Sequence, residues 1–158
     1  MELFLSVSAL VVSVVAVGVS VVTYNNSLKR ERKQATLDAF NILQSQVLDE
    51  LNHHSRAEFV EVAQNSRKKE HKAQFDSFRG LLARCEHFAV GVNEKIYDFN
   101  VVDKLAAAHL IFLYEKVKPV IQEVRYRPNA EKYYGEFEHL VVRLRAKHPQ
   151  LIQSDKTM

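Results

Sequence analysis

Two Glu-x-x-His pairs, Glu50/His53 and Glu136/His139, are the residues of this 158-residue chain whose types and spacing come nearest to catalytic chemistry. Carboxylate-bridged di-metal bundles use two such pairs, because residues three apart share a helix face, together with one Glu from each of two further helices. Glu86 and Glu115 are the available fourth-quadrant donors. Projection at about 100° per residue, however, turns His53 and His139 away from the apolar faces of their own helices, toward water. The pairs are therefore read as solvated, and no metal site and no cofactor are expected.

Other chemistries fare similarly. The chain has no Gly-x-Ser-x-Gly elbow and no glycine-rich phosphate loop. Cys85, Glu86 and His87 are consecutive, so on a helix their side chains diverge by about 100° and cannot form a Cys–His pair. The same divergence separates His53 from His54. Cys85, the single cysteine, sits among Leu81, Leu82, Phe88 and Ala89, as a buried small hydrophobe does. Glu86 lies at the edge of that apolar face. A partly buried carboxylate needs a cation or several donors, and Arg125, with Arg127 and Arg143 as alternatives, is the expected partner in a structural ion pair. No catalytic residue is expected, and the chain is read as a non-enzyme.

The elements that must position these residues are helical. The chain holds only four Gly and three Pro, and the steps of 3 and 4 between apolar residues recur throughout. Leu37, Phe40, Leu43, Val47 and Leu51 mark an amphipathic helix to about Asn52. Ser55 with Glu58 reads as a capping box for a short helix to Gln64. A charge run, Ser66 to Lys72, read as a solvated first turn or loop with a docking surface for an acidic partner as the alternative, precedes a helix from about Lys72 to Val92, for which Gly91-Val92-Asn93 offers a C-cap. Asp98 or Asn100 caps the next, which carries Val101, Leu105, Ala108, Leu110, Phe112, Leu113 and Val117, with a kink or break expected at Pro119. Asn129 is the expected cap of the last helix, whose Tyr133, Phe137, Leu140, Val141 and Leu144 form one face up to His148-Pro149.

All of this stands behind Leu3–Tyr24, 22 residues without a charge. As a helix the run reaches roughly 33 Å, enough to cross a hydrocarbon core of about 30 Å, and lipid imposes a helix on a segment rich in Val. Lys29, Arg30, Arg32 and Lys33 follow it directly, which places the C-terminal body in the cytosol and offers contacts to lipid headgroups. Glu2 and the absence of a preceding basic residue argue against a cleaved signal peptide, despite Ala16-Val17-Gly18. Ser6, Ala9, Ser13, Ala16 and Ser20 fall at steps of 3 and 4, a small-residue seam suited to self-association.

The expectation is an all-α chain: a single N-terminal transmembrane helix (residues 1–25, N-terminus outside), a four- or five-helix cytosolic bundle (26–149, with a membrane-proximal helix 26–53) and a flexible tail (150–158). The net charge of +3 is largely the juxtamembrane cluster, and no aromatic-plus-basic platform accompanies it, so nucleic acid is not an expected partner. Expected instead are membrane lipid, further copies of the chain and an unidentified cytosolic protein, at an inner or plasma membrane. The functional expectation is an interaction or scaffold module; the alternative is a membrane effector of toxin or phage-defence type whose oligomerised anchor perturbs the bilayer.

Three stretches carry a family resemblance: Lys33-Gln34-Ala35-Thr36-Leu37; Leu81 through Val92 with Ile96-Tyr97-Asp98; and Val117-Lys118-Pro119 with Phe137-Glu138. On these the chain resembles the bacterial membrane-anchored family catalogued as domain of unknown function 4760. The resemblance implies the same helical architecture and supplies no activity.

Overall fold

The computed structural model describes the backbone of residues 2–152 and the side chains of residues 16–151. Within them every regular element is helical: α1 (Glu2–Leu43), a π-helical turn (Gln44–Leu48), α2 (Asp49–His53), α3 (Arg56–Gln64), α4 (Lys69–Asn93), α5 (Phe99–Arg125), α6 (Gly135–Lys147) and a closing 3-10 turn (Pro149–Ile152). The all-α expectation holds. Among the described residues no helix is long and apolar enough to cross a membrane. The expected anchor lies largely outside the described side chains, as do Ser6, Ala9 and Ser13 of the expected seam.

α1, the π-turn and α2 form one rod, as the absence of Gly and Pro between Val19 and His54 predicts. Its lower half packs on α4 and α5 through Phe40, Leu43, Val47, Leu48 and Leu51, all buried. The π-turn lies in the packed part of the rod, and Val47 and Leu48 within it are both buried. Burying a leucine gains roughly 1.5–3 kcal/mol, which offsets the poorer turn.

Rod and bundle are joined by a polar bolt. Thr36, fully buried, donates from Oγ1 to the Arg32 carbonyl at 2.7 Å and accepts from the Asp98 amide at 2.8 Å. Asp98 in turn caps α5, accepting from the amides of Asn100 (2.8 Å) and Val101 (3.3 Å). The Ser55–Glu58 capping box forms as expected: the Glu58 amide donates to the serine hydroxyl and the Ser55 amide to the Glu58 carboxylate.

Four local expectations are corrected. Gly91 is not a cap: α4 continues to Asn93, and Lys95 takes the left-handed conformation (φ 61°) instead. Gly91 is needed for a different reason, since a Cβ there would collide with the Tyr97 ring, which stacks on Phe88. Pro119 does not break α5. It sits half-buried, and the Glu115 carbonyl deprived of a donor belongs to a half-exposed residue that water can serve. Asn129 (φ 61°) does not cap α6, which starts five residues later behind Tyr134, also left-handed; Tyr133 therefore falls before the helix and is half exposed. Finally, of the expected flexible tail, residues up to Ile152 belong to the 3-10 turn Pro149–Ile152, with Leu151 packed against the core; residues 153–158 lie outside those described.

Candidate functional site

The side chains singled out for chemistry are dispersed by the fold. His53 and His139 are exposed, as their helical projection predicts, and so are Glu50 and Glu136, which it places at the boundary of the apolar faces. Glu50 lies 3.9 Å from His54 Nε2, while Glu136 accepts from Asn93 Nδ2 at 2.8 Å. Glu115 pairs with Arg145 and, at 3.7 Å, with Lys118. Burial raises its carboxyl pKa, but Arg145 and then Lys118 outweigh that and hold it below the usual range. Among the described residues no group of three or more His, Cys, Asp or Glu is gathered for a metal ion. Cys85 is buried, and that burial, with Glu86 beside it, pushes its thiol up to about 12, which keeps it protonated and inert.

Glu86 and Arg125 do not form the expected pair. Glu86 instead accepts from the backbone amides of Glu136 (3.1 Å) and Phe137 (2.7 Å), the second and third residues of α6. These amides have no partner within their own helix, and Tyr134 at the cap provides no side-chain acceptor. A carboxylate from α4 thus caps α6 in trans, satisfied by donors and by the positive end of the helix rather than by a cation. Arg125 binds Glu138 at 2.7 Å and donates to the Tyr133 carbonyl at 2.9 Å. That arginine, helped by Tyr114, lowers the Glu138 carboxyl pKa, whereas burial followed by the Glu138 contact pushes Tyr114 up to about 12.

A second polar cluster fastens the end of α6 to the start of α5. Asp103 accepts from Lys147 (3.1 Å) and meets His148 Nε2 at 2.8 Å. Burial alone would raise the Asp103 pKa, but His148 and Lys147 bring it down.

The recess that remains is a groove of about 630 Å³ between the π-turn with α2 and the middle of α4. Ser45, Gln46, Asp49, Glu50 and His53 form one wall; Ser77, Gly80, Leu81 and Arg84 form the other. Arg84 reaches across to Gln46 Oε1 at 2.9 Å. The groove holds Ser, Asp, Glu and His, the types used in acyl transfer, yet Ser45 spends its hydroxyl on the Asn41 and Ile42 carbonyls (3.0 and 3.3 Å). Among the described residues no hydrogen bond joins His53 to either serine, so the nucleophile–base contact of such a site is not formed. The walls present charged and hydrogen-bonding side chains to the groove. Sequence reasoning did not find this groove, because it exists only where the π-turn and the bare backbone of Gly80 face each other.

Of the remaining expected contacts, Lys29, Arg30 and Lys33 are fully exposed and Arg32 partly so. Ala16 and Ser20 are exposed as well, and the Ser20 hydroxyl donates to the Ala16 carbonyl at 2.8 Å. The family model described as domain of unknown function (DUF4760) matches residues 10–144. No curated protein and no solved structure matches the chain.

Proposed function

The chain belongs to the family described as domain of unknown function (DUF4760), and from that premise we propose that it is a single-pass, membrane-anchored helical interaction module that presents its bundle on the cytosolic side without catalysing a reaction. The observation that carries this reading is the unbroken course of α1 from Glu2 to Leu43. It leads from the uncharged run Leu3–Tyr24, past the exposed cations Lys29, Arg30 and Lys33, to the buried Thr36 bolt. A helix that is lipid-compatible at one end, basic in the middle and fastened to a core at the other has the physical order of an anchor, a headgroup collar and a body. The Ser20 hydroxyl, bonded to its own helix, carries no unmet polar demand into lipid. The family match supports the reading further, since it begins inside the uncharged run and ends in α6, treating the two as one unit.

The test is extraction and topology. The full chain with a C-terminal tag should stay in the membrane pellet after alkaline carbonate. The tag should be cleaved by protease in inverted vesicles and spared in spheroplasts. Release into the supernatant, or a tag cleaved from outside, would overturn the proposal.

A further inference from the structure

We propose that the groove between the π-turn with α2 and the middle of α4 binds a small extended zwitterion, an amine cation and a carboxylate at the two ends of a short chain. Two locally unfavourable choices meet at this recess. Gly80 stands in the interior of α4, where glycine costs stability relative to alanine, and no atom lies within 4 Å of where its Cβ would be, so close packing does not require it. The π-turn Gln44–Leu48 is a rare helical geometry, and single π-turns inside α-helices gather at functional sites. Departures from local preference that converge on one recess are the mark of a site kept for a ligand. The side chains there are also unengaged. Among the described residues Asp49, His53 and Ser77 make no side-chain hydrogen bond or ion pair, and Glu50 has only its 3.9 Å contact to His54.

The charges are ordered along the groove. α4 runs antiparallel to the rod, since Phe88 meets Phe40, Arg84 meets Gln46 and Phe78 meets His54. Arg84 therefore lies at the π-turn end, level with Gln46. Asp49 and Glu50 lie three and four residues further along the rod, about 4.5–6 Å away at roughly 1.5 Å per residue. A cation at one end and two carboxylates at the other make a dipolar recess of about 630 Å³, within the size range of small-molecule sites. The complementary occupant turns its ammonium toward Asp49 and Glu50 and its carboxylate toward Arg84, whose guanidinium is steadied by Gln46 and keeps further donors for a bidentate contact. A ligand with cations at both ends would set one of them against Arg84, and an α-amino acid holds its charges too close together to span the offset. Both ends are open to water, so affinity in the millimolar range is expected, each charge contributing about two- to fivefold. The site does not depend on the anchored reading above.

The probe is δ-aminovalerate, titrated at neutral pH and low salt into the isotope-labelled full chain in non-ionic detergent while amide NMR spectra are recorded. A saturable shift of the Ser77, Gly80 and Arg84 amides is expected, with Gly135 unmoved and Gly91, packed against Tyr97, reporting an intact fold. Pentylamine and valerate, each carrying one of the two charges, should bind about two- to fivefold more weakly than the zwitterion. Asp49→Asn combined with Glu50→Gln should abolish the preference for δ-aminovalerate over valerate. Gly80→Leu, which fills the groove and favours the helix, should remove binding while the Gly91 resonance stays in place. Pentylamine or valerate binding as tightly as δ-aminovalerate, a shift that only drifts linearly with concentration, or saturable binding retained in Gly80→Leu would overturn the site.

Discussion

Glu86 was legible in the sequence as a half-buried carboxylate in need of compensation, and its partner was not. The reasoning from burial to a cation chose Arg125, whereas the fold supplies two helix-terminal amides. Which amides are free depends on where α6 begins, and the residue before that start, Tyr134, is left-handed without a sequence signal for it. The energetic consequence is checkable. Glu86→Ala leaves two amides unmet and should cost about 1–3 kcal/mol, while Glu86→Gln keeps an acceptor and should cost roughly half as much. Urea midpoints at unchanged slope would measure both. Equal, negligible costs for the two variants would mean that water replaces the carboxylate and that the trans cap is ornamental.

At the scale of elements, helix identity came through because 3.6-residue periodicity survives any tertiary arrangement, and the Ser55 and Asp98 caps came through because their signals are local. The π-turn did not. It lies where Val47 and Leu48 are both buried between helices, a tertiary setting that no local pattern announces. Nor did periodicity separate the two apolar faces of α5, since Leu105 and Phe112 look like core residues until α3 and α6 are seen to flank the opposite side. The two glycines of α4 make the same point and yield opposite predictions. Around Gly80 nothing lies within 4 Å of an added Cβ, so Gly80→Ala should raise stability by about 0.5–1 kcal/mol through helix propensity. Gly91→Ala should lower the melting temperature by several degrees, about 1 kcal/mol or more, because the Tyr97 ring is held in its stack on Phe88. Thermal melts of both variants decide the matter, and a shift of the same sign for both would contradict the assigned contacts.

For the whole molecule, one helical course runs from Glu2 to His53, and the Thr36–Asp98 bolt fastens its later half to the start of α5. Composition indicated the order of the parts, because hydropathy and charge are read residue by residue. The bolt is a contact between residues 62 apart that no local pattern reveals. The most direct test is the distance distribution between spin labels at Asn25→Cys and Lys104→Cys in the full chain, reconstituted at one copy per nanodisc, where buried Cys85 takes no label. A single narrow distance that broadens when Gly-Gly is inserted after Asn26 is the predicted result. A distribution already broad in the uninterrupted chain would contradict the account and reduce the anchor to a tether.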